Sequence, residues 1–195
     1  FEDLNIGIWE SIKKRLQREI VVENDDFIRP IKIRKKLFYQ NKDFEGIFNY
    51  FRNESFGNCN NEISVTASSV KHQHFPINVL KYEQRNYFMS ENNEKSWICF
   101  DFKDHLVSPT NYTIKSCSLE NGHHLKSWKV EGSTDRNNWM AIDAKDNCQF
   151  LGGCGQTYTF SIQIENPHDF RFIRICQTGK SWLDQNYLMF DLISL

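Results

Sequence analysis

The hydrophobic and polar residues of this chain follow two different patterns, and the change between them divides the chain. In residues 1–20, Ile8, Ile12 and Leu16 recur at every fourth position with basic residues among them, which predicts an amphipathic helix. The stretch that follows is charged and has the composition of a connector. We therefore expect a helical segment and a charged connector over residues 1–43.

The second pattern, over residues 44–195, is a series of short runs in which apolar side chains alternate with polar ones. In the run SWICFDFK, for example, Ile98, Phe100 and Phe102 share one face. Polar turns separate the runs, as in an antiparallel sandwich or barrel. The chain therefore predicts a mainly β protein: an antiparallel β-sandwich preceded by an N-terminal helical segment. The predicted strands cover residues 62–69, 96–103, 110–117, 125–133, 138–143, 157–164, 170–178 and 186–195.

Composition and charge exclude several classes of protein. Hydrophobic residues make up 39% of the 195 residues and aromatic residues 14%, which is enough to fill a core and argues against disorder. The net charge of -1 gives no support for nucleic-acid binding. No apolar run of about 18 residues occurs, so we expect no membrane-spanning helix. The connector carries a basic cluster that we interpret as a solvated face, with nuclear targeting or an anionic partner as the alternative: Arg29, Lys32, Arg34, Lys35 and Lys36.

The six cysteines are scattered singly, and no Cys-x-x-Cys pair suggests zinc or redox chemistry. Cys99 and Cys176 fall inside apolar runs, where a thiol behaves as a small hydrophobic group. We therefore expect reduced, structural cysteines and a cytoplasmic protein, with association to the cytoskeleton as a variant of that location. The N-terminus has neither an initiator Met nor the features of a signal peptide, so we expect the chain to be part of a longer protein.

Five segments of the second region stand in a characteristic order. They are TASS (66–69), WICFDF (97–102), LKSWKVEGSTDRNNW (125–139), RFIRICQTGKSW (171–182) and YLMFDLISL (187–195). In this order they resemble the discoidin domain, also called the coagulation factor 5/8 type C domain, which has a galactose-binding-like jelly-roll fold. The resemblance covers residues 44–195. It implies a β-sandwich that binds a partner through its loops and catalyses no reaction.

Within that family the chain is more similar to the intracellular domains that follow BTB and BACK regions in protozoan proteins. The segments that suggest this subgroup are FEGIFNYF (44–51) and SWICFDFK (96–103). In those proteins a helical tail leads into the sandwich, so the resemblance implies that residues 1–43 are the tail of an upstream BACK-like region.

Two departures separate the chain from other members of the family. No Cys follows Cys176 that could pair with Cys59, so the disulfide that joins the two ends of secreted members cannot form. The loop VKHQHFPIN lacks the paired exposed aromatics that membrane-binding members insert into lipid. We therefore expect no membrane insertion.

Carried over by position, the ligand-binding loops of the family fall at residues 70–78, 81–93 and 116–124. These loops hold four of the six histidines, together with aromatic and cationic side chains of the kind enriched in protein interfaces. We therefore expect a non-catalytic module that recognises a protein partner there, as an adaptor or assembly domain of a larger intracellular protein. The candidate contact residues are His72, His74, Phe75, Tyr82, Arg85, Tyr87, His123 and His124.

Two other functions use the same fold differently. The first is lectin-like carbohydrate binding, with Trp182 as the candidate for stacking on a sugar, although the family pattern also has an aromatic there that packs on the end of the sheet. The second is a structural role in a cytoskeletal or ciliary assembly. The sequence leaves the oligomeric state open.

Catalysis and metal binding have the least support. The chain contains no GxSxG, HExxH or phosphate-binding glycine-rich loop, so we expect no enzyme activity and no cofactor. The loop histidines lack a Cys or carboxylate at a recognisable spacing, so we predict no metal site. A binding surface that responds to pH is the alternative role for these histidines.

Overall fold

The computed structural model describes residues 44, 46–54, 62–81, 86–120, 122–164 and 168–195. All of them lie in the unit that spans residues 37–195. The predicted helical segment and connector, residues 1–43, lie outside the described residues. So do Cys59 and two of the predicted contact residues, Tyr82 and Arg85.

Within these ranges the chain forms one α-helix and ten strands. The helix, α1, covers Ile47–Glu54, and two short 3-10 helices cover Pro76–Leu80 and Gln149–Leu151. The strands are β1 Ser64–Ala67, β2 Phe88–Met89, β3 Trp97–Asp101, β4 Asn111–Lys115, β5 Trp128–Ser133, β6 Met140–Lys145, β7 Thr157–Ser161, β8 Phe172–Gln177, β9 Met189–Phe190 and β10 Leu192–Ser194.

The strands form three antiparallel sheets, and the predicted mainly β architecture is confirmed. The large sheet has the order β1-β3-β8-β5-β6, the small sheet β10-β4-β7, and β2 pairs with β9. Alternation along β8 explains the large sheet: Ile173 and Ile175 face the interior and are fully buried, opposite Phe100 and Ile98 of β3. The registers follow from this alternation, because a slip of one residue would turn every apolar side chain to the other face.

One hydrophobic core fills the space between the large and small sheets. Helix α1 packs against it through Phe48, whose ring centroid lies 4.9 Å from that of Phe100 and 5.9 Å from that of Phe102. All three rings are at most 2% exposed. Burying a side chain of this size contributes about 1.5–3 kcal/mol, so these rings hold the helix on the sandwich.

Polar side chains also join the two sheets inside this core. The hydroxyl of Tyr112 in β4 donates to Asp143 Oδ2 in β6 at 2.5 Å. The indole N–H of Trp128 in β5 donates to the same Tyr112 oxygen at 3.0 Å. Tyr112 and Trp128 are almost completely buried, so these bonds satisfy groups that would otherwise be costly to bury.

Three details differ from the predicted strands. The strand predicted over residues 138–143 begins and ends two residues later, as β6. The run predicted over residues 186–195 is divided at Asp191, whose backbone N–H donates to Lys115 O at 3.0 Å, so β9 pairs with β2 while β10 pairs with β4. Strand β2 was not predicted, because two residues are too few to establish an alternating pattern. The hairpin between β5 and β6 agrees with the sequence, and the guanidinium carbon of Arg174 lies 3.8 Å from the Trp139 ring centroid on the large sheet.

Candidate ligand-binding surface

The two-stranded β2–β9 ladder creates a second face beside the main core. Its register pairs Phe88 with Phe190 and Met89 with Met189. Phe88 and Phe190 are fully buried in the main core. The residues on alternate positions therefore turn to the other face, where Met89, Met189 and Cys117 form a separate buried cluster against which Tyr87 and Tyr187 pack.

The loop before the first 3-10 helix lies on this face. The backbone N–H of Lys71 donates to Met89 O at 2.8 Å, which fixes the loop to β2. The His74 ring then stacks on Tyr87, with centroids 4.0 Å apart and planes at 20°, and His74 Nε2 lies 3.0 Å from the Tyr87 hydroxyl. Lys71 Nζ donates to the Tyr187 hydroxyl at 3.0 Å and lies 4.2 Å from the centre of that ring.

A third loop contributes His123. Its ring centroid lies 4.4 Å from that of Tyr187, and its Nδ1 lies 3.5 Å from Ser181 Oγ. Side chains from four separate parts of the sequence therefore meet at one place. We call this group the loop cluster, and it consists of Lys71, His74, Tyr87, His123 and Tyr187.

The loop cluster holds a lysine beside two imidazoles that are hard to protonate. Burial lowers the pKa of His74, and the nearby His72 and Lys71 lower it further. Burial also lowers the pKa of His123, with Lys71 and His124 adding to the effect. Both rings are therefore neutral at pH 7 and offer one N–H donor and one acceptor nitrogen each.

The phenol and thiol beneath these rings are also held neutral. Burial raises the pKa of Tyr87 and raises the pKa of Cys117 to about 12. The loop cluster thus presents two tyrosine hydroxyls, two neutral imidazoles and one lysine side chain, all of which hydrogen-bond well to hydroxyl groups.

The predicted contact residues are divided between this cluster and other places. His74, Tyr87 and His123 belong to the cluster, whereas His72 and Phe75 are exposed in the same loop as His74. His124 is 5% exposed, and its ring nitrogens lie 3.2 Å from Cys117 O and 3.3 Å from Gly152 O. The His124 ring thus connects the loops that contain Cys117 and Gly152, and because it is buried it leaves little surface for a ligand to contact.

Trp182, the candidate for sugar stacking, is half-buried next to His124. Its backbone N–H donates to His124 O at 3.2 Å, and Lys126 Nζ lies 4.8 Å from the centre of the indole ring. Its buried Nε1 has no hydrogen-bond partner. The lysine covers part of the ring, and among the described residues no hydrogen bond or ring contact joins the indole to the loop cluster.

Sequence reasoning missed Lys71 and Tyr187. The chain nevertheless carried a signal for the second, because Tyr-x-Met occurs twice, as YFM at 87–89 and as YLM at 187–189. The antiparallel register pairs the two methionines, Met89 with Met189, and the alternation of side chains along each strand turns both tyrosines to the face of those methionines. Which strands pair, however, depends on the whole fold.

Two features do not occur in the described part of the chain: a group of side chains that could hold a metal ion and a membrane-crossing helix. In the ranges given above, no group of three His, Cys, Asp or Glu side chains is placed to hold a metal ion. Nor does any helix there have the length and apolar character of a transmembrane segment.

No protein-family model matches the sequence. Two curated proteins align with part of it: the E3 ubiquitin-protein ligase hecd-1 of Caenorhabditis elegans is 29% identical over 84 residues, 43% of this chain. The E3 ubiquitin-protein ligase Ufd4 of Drosophila melanogaster is 26% identical over 102 residues, 51% of this chain. The aligned parts span 3% and 4% of those two proteins.

Solved structures with a similar fold are named as carbohydrate-binding modules. CpGH89CBM32-5 from Clostridium perfringens, in complex with GalNAc-β-1,3-galactose, matches with a TM-score of 0.56 and 11% identity over 68% of this chain and 94% of its own. The CBM32 of AlyQ, in complex with 4,5-unsaturated mannuronic acid, matches with a TM-score of 0.53 and 15% identity over 67% and 91%. These matches confirm the β-sandwich fold that the resemblance to discoidin domains predicted.

Proposed function

We propose that this domain is a non-catalytic module that binds a carbohydrate at the loop cluster. The observation that carries the proposal is the convergence of Lys71, His74, Tyr87, His123 and Tyr187 from separate loops. Sugars present hydroxyl groups and weakly apolar ring faces. Neutral imidazoles, phenols and an ammonium group suit the hydroxyls, and the partly exposed tyrosine rings suit the apolar faces.

The comparisons support this choice over a protein partner at the same loops. The similar structures include modules solved with sugar ligands, and a further one, with a TM-score of 0.50 and 17% identity, is named as pectin-binding. Two of the residues with which we predicted protein contacts, Tyr82 and Arg85, lie outside the described residues. Because Lys126 covers part of the Trp182 ring, the sugar proposal rests on Tyr87 and its neighbours and no longer on Trp182.

A glycan array probed with the purified chain tests this proposal, followed by calorimetric titration of the best glycan. Lys71→Met keeps the aliphatic stem but removes the donor to Tyr187, and Tyr87→Ala removes a ring that is stacked on His74. We expect each to weaken binding by about tenfold or more. Phe150→Ala is the matched control, because Phe150 is an exposed aromatic outside the loop cluster. Binding of no glycan, or equal binding by all variants, would contradict the proposal.

A protein partner remains the second candidate, and a specific observation favours it: the two curated sequence relatives are ubiquitin ligases. Under this second proposal, the domain acts as an adaptor in the cytoplasm and follows a BACK-like region in the chain. Four of the five described cysteines are buried free thiols, which supports a reducing compartment.

Affinity capture from the native cells would test this second candidate, with the wild type compared to a Phe75→Ala, Tyr82→Ala, Arg85→Ala variant. Proteins that are lost with the variant would support an adaptor. An unchanged set of captured proteins would remove the support for loop-borne protein binding.

A further inference from the structure

A groove separate from the loop cluster lies along β7. It has a volume of about 550 Å³ and is lined by residues 145–150, which run from the last residue of β6 into the second 3-10 helix, and by residues 158–161 of β7. Phe150 and Tyr158 stand exposed at this groove, with 55% and 38% of their surfaces accessible. Their rings stack with centroids 4.0 Å apart and planes at 13°.

The strand at this groove is the edge of the small sheet. β7 pairs with β4 on one side only. Just before the strand, Ser116 N donates to Gln156 O at 2.8 Å, and just after it Ile162 N donates to Thr110 O at 2.8 Å. Backbone bonding alternates along an antiparallel ladder, so Tyr158 and Phe160, between those two pairs, turn their backbone groups to β4.

The other three residues of β7 turn their backbone groups away from β4. Thr157, Thr159 and Ser161 therefore direct their N–H and C=O groups to the open side of the strand, and no backbone partner for them occurs among the described residues. The groove lies beside this open side, because residues 158–161 form one of its walls and the other wall, residues 145–150, is not part of the small sheet.

Edge strands usually carry features that prevent another strand from adding to them, such as an inward charge, a proline or a bulge. β7, with the sequence TYTFS, has no charged residue and no proline, and its register with β4 is regular. Peptides add as a strand to an exposed sheet edge, where main-chain hydrogen bonds give affinity and contacts to alternate side chains give specificity, and the exposed aromatic pair beside β7 offers such contacts.

Charge defines the chemistry of the occupant. The charged side chains lining the groove are Lys145 and Asp146, which cancel. Lys145 Nζ is already paired with Asp143 Oδ1 at 2.6 Å, and Asp146 Oδ1 accepts a hydrogen bond from Ser127 at 2.7 Å. A charged partner would gain at most one exposed carboxylate, Asp146, and an exposed ion pair contributes little, whereas an uncharged, apolar side chain would bury the exposed rings.

We propose that β7 and its groove form a second binding site, which accepts an extended, uncharged peptide segment of another protein as an added strand. The backbone of the peptide bonds to Thr157, Thr159 and Ser161. Its alternate side chains pack on Phe150 and Tyr158. The site is independent of the loop cluster and of the sugar that we propose for it.

A displayed library of random peptides, selected on the full chain, is the probe. We expect enrichment of sequences with apolar residues at alternate positions and no charge among them. Thr159→Pro removes the central outward N–H at an edge position where proline is tolerated. Thr159→Val is its matched control, because it also loses the hydroxyl but keeps the N–H. We expect Thr159→Pro to weaken the selected peptide by about tenfold or more and Thr159→Val to leave it within about twofold.

Two further measurements complete the test. Phe150→Ala should weaken the peptide, whereas Phe75→Ala, which removes an exposed ring outside the groove, should not. Glycan binding should be the same in Thr159→Pro, Thr159→Val and Phe150→Ala, so a failure here differs from a failure of the sugar proposal. Absence of enrichment, or equal peptide affinity of Thr159→Pro and Thr159→Val, would overturn the inference. Self-association that Thr159→Pro abolishes would also overturn it, because the occupant would then be a second copy of the chain.

Discussion

At the scale of single residues, the outer face of the large sheet holds an unusual carboxylate. Glu131 in β5 is only 4% exposed, although it points away from the core. Lys129 Nζ lies 2.6 Å from one oxygen, while Arg174 Nε at 2.7 Å and the Cys176 thiol at 3.2 Å contact the other. A carboxylate stays ionised in a buried position only when such partners bind it. Without them, removing the charge from water costs more free energy than its remaining interactions return.

These partners decide the protonation state of Glu131. Burial by itself raises the pKa of the carboxyl, but the hydrogen bonds from Lys129, Arg174 and Cys176 outweigh it and the pKa lies below its usual value of 4.5. Burial, with the carboxylate beside it, raises the pKa of Cys176 to about 12. The group therefore stays as a charged carboxylate and a protonated thiol throughout the neutral range.

Glu131→Gln should lower the free energy of unfolding at neutral pH by about 2–4 kcal/mol, because Arg174 loses its buried counter-ion. A carboxyl whose pKa is lowered by folding stabilises the protein above its unfolded pKa, and this contribution disappears as the pH falls through the folded pKa. The difference between wild type and variant, measured by urea unfolding, should therefore shrink below about pH 4. A difference that is constant from neutral pH to acid would contradict this account.

A more exposed ion pair provides the control. Arg171 Nε lies 2.8 Å from Asp101 Oδ1, but the arginine side chain is 43% exposed. Asp101→Asn should therefore cost at most about 1 kcal/mol at neutral pH.

At the scale of elements, alternation along the chain predicted most strands. The core-facing set Ile98, Phe100 and Phe102 and the strand at 170–178 agree with the structure because a half-buried strand must alternate. The ladder of β2 and β9 was not predicted. Its strands have two residues each, and their partners lie about a hundred positions apart, so only the completed sandwich brings them together.

The polar contact between the sheets makes an element-scale prediction. Tyr112→Phe removes the hydroxyl that donates to Asp143 and accepts the Trp128 N–H, and leaves both of those groups without that partner inside the core. We expect the free energy of unfolding to fall by about 1–3 kcal/mol, as measured by chemical denaturation. Tyr158→Phe is the control, since this neighbouring hydroxyl is on an exposed side chain, and it should change stability by less than about 0.5 kcal/mol. Equal effects of the two changes would show that the inter-sheet contact contributes little.

At the scale of the whole molecule, the order of five segments identified the sandwich, whereas the candidate site was recovered only in part. His74, Tyr87 and His123 were found because they lie in loops that the resemblance marked. Lys71 and Tyr187 were missed, since their roles depend on contacts across 116 positions of the sequence. The groove at β7 was also not predicted, because the position of a strand at the edge of a sheet depends on the whole fold and not on the local sequence pattern.

The loop cluster also couples the stability of the whole domain to pH. Folding lowers the pKa values of His74 and His123 below the ordinary value of 6.5, first through burial and then through neighbouring positive groups. The unfolded chain therefore takes up protons at a higher pH than the folded chain does. Stability is fully present above about pH 6.5 and is lost as the pH falls towards the folded pKa values.

We expect the free energy of unfolding of the wild type to decrease between about pH 7.5 and pH 5.5, a range in which ordinary carboxylates stay charged. The double variant His74→Gln, His123→Gln keeps polar side chains at both positions but has nothing to protonate there, so its decrease should be smaller. Urea unfolding at the two pH values measures both. If glycan binding is confirmed, its affinity should fall over the same range, because protonated imidazoles beside Lys71 repel one another and lose their acceptor nitrogens. An equal loss of stability in wild type and double variant would mean that these histidines do not carry the pH dependence, and the neutral state of the loop cluster would have to be abandoned.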